Sequence, residues 1–126
     1  MRVILLYDVR DIRPSIQEVL TAATLAGACP DRLNDLKLCL YELLGNALLH
    51  GQGAVSLTCL FEADGVRVSV RQTAPWQGEA LEGCHKCLEA EITRESGRGL
   101  FLVRALSDDL EYLEESRDMR LRMRLV

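Results

Sequence analysis

Residues 119–125 read Met-Arg-Leu-Arg-Met-Arg-Leu, and this strict alternation constrains the fold more than any other stretch of the chain. Successive side chains of a β-strand point to opposite faces, so Met119, Leu121, Met123 and Leu125 need a covered face while Arg120, Arg122 and Arg124 need water. The same period recurs in Val55, Leu57, Cys59 and Phe61 and in Val66, Val68 and Val70, with Asp64-Gly65 as the hairpin turn between them. Leu110 and Tyr112 mark a further strand. Across the sheet, the arginines of the last strand are expected to face Glu111 and Glu114 or Glu115.

A sheet with one covered face requires a second layer, and three segments have the period to supply it. Pro14 suits the first turn of a helix running through Val19, Leu20 and Leu25 towards Gly27. A second begins near Pro30-Asp31, where Leu33, Leu36, Leu40, Leu43, Leu44, Ala47 and Leu48 recur at spacings of three and four, and Gly51 and Gly53 end it. The third holds Leu100 to Leu106. With a short apolar strand over residues 2–7, the order is strand, helix, helix, two strands, connection, helix, two strands. This pattern predicts an α+β fold, a two-layer sandwich whose mainly antiparallel sheet is covered by helices on one face. At 126 residues, with no repeat and no internal linker, residues 1–126 are expected to form a single domain.

The connection of about residues 73–96 has no sustained period, although Glu79–Ile92 is compatible with a short helix; its length suits a functional lid. Within it, Cys84-His85-Lys86-Cys87 carries zinc-ligand chemistry, but a second ligand pair is missing, so an exposed loop with redox-reactive thiols is the better reading. Cys29, Cys39 and Cys59 lie in apolar periodic segments and are read as buried thiols. A net charge of −4 offers no basic field for nucleic acid. No apolar run nears the ~20 residues of a membrane helix, and Asp8 follows too soon for a signal peptide, so a cytoplasmic location is expected.

Two short constellations carry chemistry. Glu42 and Asn46 lie four apart and so share one face of the second helix, where a carboxylate can activate a nucleophile and a carboxamide can hold a hard cation. A solvated helix edge with an incidental pair is the alternative. Gly97-Arg98-Gly99-Leu100 opens the third helix, where flexible backbone and free amides meet the positive end of the helix dipole, the usual physics of phosphate binding. A plain glycine-rich helix start is the alternative there. His50 reads as a helix-end residue interacting with the last carbonyls.

Together these segments resemble a known family. Residues 41–51, Tyr-Glu-Leu-Leu-Gly-Asn-Ala-Leu-Leu-His-Gly, look like the asparagine box of the histidine-kinase-like ATPases, which share the Bergerat ATP-binding fold. Residues 95–106, Glu-Ser-Gly-Arg-Gly-Leu-Phe-Leu-Val-Arg-Ala-Leu, look like that family's last glycine box, and the nearest branch is the bacterial anti-sigma-factor serine kinases. The resemblance implies that Asn46 ligates Mg²⁺ bridging the phosphates of ATP, that Glu42 is general base on a serine hydroxyl, and that Gly97, Arg98, Gly99 and Leu100 cradle the phosphates. It implies as partners a sigma factor and an anti-sigma-factor antagonist, and a homodimer. A vestigial partner-switching module and a detached domain of a histidine-kinase relay are the competing readings.

The chain departs from the family where an Asp-x-Gly-x-Gly box should follow Val70. Gln72 stands where the adenine-binding Asp is expected, and Ala74 and Trp76 stand near the glycines. A Gln carbonyl still accepts from an amino group, though more weakly than a carboxylate, and Trp76 would either fill the adenine space or stack on the base.

Overall fold

The computed structural model describes residues 1–50, 53–72, 95–113 and 115–126. Its strands are β1 (Arg2–Leu6), β2 (Val55–Phe61), β3 (Gly65–Gln72), β4 (Asp109–Leu113) and β5 (Asp118–Arg124). They form one antiparallel sheet in the order β1-β2-β3-β5-β4. Helices α1 (Ile12–Leu25), α2 (Pro30–His50) and α3 (Glu95–Leu106) supply the second layer, and α2 packs against both of the others. This is the α+β sandwich that the alternating strands require.

Period decides which side chains meet. Leu36, Cys39, Leu40, Leu43, Leu44 and Ala47 of α2 are buried at steps of three and four, opposite Leu57, Cys59, Val68, Val70, Met119, Leu121 and Met123 of the sheet. Each fully buried leucine contributes about 1.5–3 kcal/mol of transfer free energy, an upper figure because denatured chains bury some apolar surface already.

Local polar chemistry and close backbone packing set the details at the ends of these elements. The chain enters the helical layer at a 3-10 turn, Val9–Asp11, and α1 starts at Ile12, which puts Pro14 in its first turn as expected. Asp8 accepts from the Arg10 amide at 2.7 Å, while Asp11 accepts from the amides of Tyr7 at 2.8 Å and Asp8 at 3.2 Å, so two carboxylates satisfy the orphan donors of the entry. Gly65 is not the left-handed residue of a tight turn: it begins β3, and a Cβ there would run into the Met123 carbonyl oxygen of β5. It is glycine because the neighbouring backbone lies against it.

Among the described residues the second face of the sheet carries no helix, and apart from exposed Val3, Leu5 and Leu60 it is mainly polar. Ser56, Thr58, Arg67, Ser69, Arg71, Glu111, Asp118, Arg120 and Arg122 help line a shallow basin of about 620 Å³ over it. Of the expected cross-strand partners only Glu111 stands opposite an arginine, Arg120; Arg122 faces Asp109, and Arg124 faces Gly65. Glu115 lies beyond the end of β4 and Glu114 outside the described residues. The most buried acid of this face is one the periodicity did not single out, Asp118, which is 1% exposed and pairs with Arg71 at 3.0 Å and Arg120 at 3.3 Å.

Cys39 and Cys59 are buried, as expected, whereas Cys29 is only partly so, because it sits between α1 and α2 with its amide donating to the Leu125 carbonyl at 2.7 Å. Burial pushes the Cys39 and Cys59 thiols up to about 12. At pH 8, Cys39 and Cys59 should therefore resist a disulfide-exchange reagent in the folded protein and react in urea, as mass spectrometry of labelled peptides would show. A folded value above the unfolded one means that the fold keeps a proton the unfolded chain releases. Stability should accordingly fall as the pH rises above the ordinary thiol range, a trend that urea titrations at increasing pH would reveal.

Candidate functional site

Helix α2 runs antiparallel to α3, and Arg32 fixes their relation at one end. Its guanidinium donates to the Arg124 carbonyl at 2.7 Å and the Leu106 carbonyl at 3.3 Å, and reaches Asp35 at 3.0 Å and Asp108 at 3.4 Å. Arg32 thereby ties the start of α2 to the end of α3 and to the end of β5. At the opposite end of the same pair, Glu42 of α2 meets the beginning of α3 at Gly99, and Asn46 lies one turn further along α2.

Contact there is close. A Cβ at Gly99 would collide with the Glu42 carboxylate, so the half-buried carboxylate rests on the α3 backbone. The helix itself starts at Glu95, so Gly97-Arg98-Gly99-Leu100 lie inside its first two turns instead of opening it. The first four N–H groups of a helix have no intrahelical acceptor, which places the free amides and the positive dipole end at residues 95–98. Gly97 and Arg98 keep the expected amide position. Gly99 instead provides the close approach, and Leu100 is fully buried in the core, which leaves it no side-chain part at a ligand.

Gln72 reaches the same region from the sheet. It ends β3, is 2% exposed, and its Nε2 donates to the Ala47 carbonyl, one residue from Asn46. Two buried polar atoms of this region lack any partner among the described residues, Asn46 Nδ2 and Gln72 Oε1. An unsatisfied buried donor or acceptor costs about 1–3 kcal/mol, so the pair marks a place built for polar groups that the described residues do not supply.

Glu42, Asn46, Gln72 and Gly99 are thus brought together by α2, β3 and α3. Trp76, residues 73–94 of the expected lid and the Cys84-His85-Lys86-Cys87 run lie outside the described residues. Among the described residues no group of three or more His, Cys, Asp and Glu side chains is placed to hold a metal ion, and no helix is long and apolar enough to cross a membrane. Sequence reasoning missed two contributors. Ala47 acts through its carbonyl, which leaves no side-chain signal, and Arg32 looks like any helix-surface arginine until its four acceptors are seen together.

The family model described as the histidine kinase-like ATPase domain matches residues 5–125. No curated protein matches the chain.

Proposed function

This chain belongs to the histidine kinase-like ATPase domain family, and we propose that it is a cytoplasmic anti-sigma regulatory factor that binds Mg-ATP and phosphorylates a serine of an anti-sigma-factor antagonist. The observation that carries the nucleotide half is the pair of buried, unpartnered atoms Asn46 Nδ2 and Gln72 Oε1 near the Glu42 carboxylate and the start of α3.

The donor set fits the group. A carboxamide at Asn46 offers an oxygen to Mg²⁺ and an N–H to a phosphate oxygen. The α3 amides, including those of Gly97 and Arg98, suit phosphate, and Gln72 Oε1 can accept from the adenine amino group because its Nε2 is committed to Ala47. Bound Mg-ATP supplies the phosphoryl group and the counter-charge for its transfer. Glu42 takes the serine hydroxyl proton on a carboxylate oxygen, and the surrounding helix ends hold the reactants in line, which is most of what phosphoryl transfer asks of a protein.

The sigma factor, the antagonist and a homodimer are proposed on the likeness of residues 41–51 and 95–106 to the serine-kinase branch. Titration with Mg-ATP, followed by assay of γ-phosphate transfer to the antagonist, tests the whole reading. Saturation and transfer are expected, and neither binding nor transfer at millimolar nucleotide would sink it.

One observation favours a second reading, a partner-switching module with a vestigial pocket: at the base-reading position a neutral Gln72, already bonded to Ala47, replaces a carboxylate. On that reading Glu42→Ala leaves regulation of the sigma factor intact.

A further inference from the structure

The residue that reads the base in this proposal is held from the opposite side of the sheet. Gln72 is the last residue of β3, and strand ends fray unless something holds them. On its β5 side the register stops one residue short, at the pair Arg71 and Asp118. Beyond that pair a single backbone bond continues the contact, from the Gln72 amide to the Arg117 carbonyl at 3.3 Å. Arg117 adopts φ 57°, the left-handed region, and is the only described non-glycine residue with positive φ. Such a conformation costs about 1–2 kcal/mol and persists where its neighbours hold it.

Asp118 is the neighbour equipped to do so. Its buried carboxylate accepts from Arg71 Nε at 3.0 Å and Nη2 at 3.2 Å, from Arg120 at 3.3 Å, and from the hydroxyls of Ser69 and Ser116. The two-pronged Arg71 bond fixes orientation as well as distance. Side chains alternate across a strand, so holding Arg71 on the uncovered face aims Gln72 at the helices.

We propose that Asp118 is a positioning residue for Gln72: its carboxylate holds Arg71, its predecessor Arg117 holds the Gln72 amide, and together they aim the Gln72 carboxamide at Ala47 and the base. The inference rests on the nucleotide half of the proposed function and extends it to the uncovered face, where a ligand that drew Arg71 away from Asp118 would loosen the base-reading end of the pocket.

The test is Asp118→Asn in the full chain, read by nitrogen-15 NMR of the Gln72 side-chain amide and by binding of ATP and of inorganic tripolyphosphate. Exchange of the Gln72 amide protons should accelerate about tenfold without nucleotide, and ATP should bind about tenfold more weakly, the size of one lost hydrogen bond. Tripolyphosphate, which probes only the phosphate end, should bind unchanged, and Asp118→Asn should add nothing to Gln72→Ala.

Unchanged Gln72 exchange in a folded variant overturns the proposal, and so does parallel loss of tripolyphosphate binding, which would mark a general structural role. If Asp118→Asn does not fold, Arg71→Ala carries the test with the same expected directions, since Arg71 is largely exposed on the uncovered face. A wild-type protein that binds no ATP defeats the nucleotide reading, while the exchange measurement still decides whether Asp118 positions Gln72.

Discussion

Replacing Glu42 with glutamine should lower phosphoryl transfer to the antagonist about 10²–10⁴-fold while Mg-ATP affinity stays within about twofold. The substitution preserves shape, so the packing against Gly99 survives and only the proton acceptor is lost. Single-turnover transfer and equilibrium binding, measured on the same preparation, separate the two effects. A general base acts in the chemical step, so its loss appears in kcat rather than in binding. Transfer persisting at wild-type rate would remove Glu42 from the chemistry. A matching loss of affinity would instead place Glu42 among the groups that hold the nucleotide.

Gly65→Val should destabilise the fold by about 3 kcal/mol, the upper end of what overpacking costs, because the first added carbon meets a backbone carbonyl that has no rotamer to escape into. The damage falls on the β3–β5 ladder, which carries seven registered pairs from Gly65↔Arg124 to Arg71↔Asp118 at the centre of the sheet. Urea denaturation followed by circular dichroism checks the value. Gly45→Ala is the matched control. Gly45 lies inside α2, where an added Cβ would meet nothing within 4 Å among the described residues, so alanine there should stabilise by about 0.5–1 kcal/mol through helix propensity alone. Equal effects of the two changes would show that the close approach at Gly65 is not what selects glycine there.

The architecture was legible because it follows from period. Alternation in Met119–Leu125 and the three-and-four spacing from Leu33 to Leu48 each leave one way to bury their apolar side chains, and the sheet and α2 follow. The chemistry of the site was legible only where a side chain carries it. Glu42 and Asn46 share a helix face by spacing, and Glu42 does lie against the start of α3. What stayed hidden depends on neighbours distant in the chain. Gly65 reads as a turn residue until β5 is laid beside it. Leu100 reads as part of a phosphate loop until the helix is seen to start at Glu95, which sends its side chain to the core. Asp118 reads as one acid among many, since nothing local announces that Arg71, 47 residues earlier, will close on it.

The anchoring of α3 has a mechanical consequence. Its C-terminal end is fastened from several sides: Arg32 grips the Leu106 carbonyl, Arg104 donates to the Leu110 carbonyl at 2.9 Å, and Asp108 is bonded to both Arg122 and Arg124 of β5. The other end, where the free amides lie, meets Glu42 through a glycine. Twelve residues of helix make a rod about 18 Å long. Pivoting such a rod by about 10° at its fastened end swings the far tip by about 3 Å, enough to make or break every hydrogen bond there while the sheet barely moves. Helix α3 would in that case act as a lever with its fulcrum near Arg32 and its moving end beside Glu42.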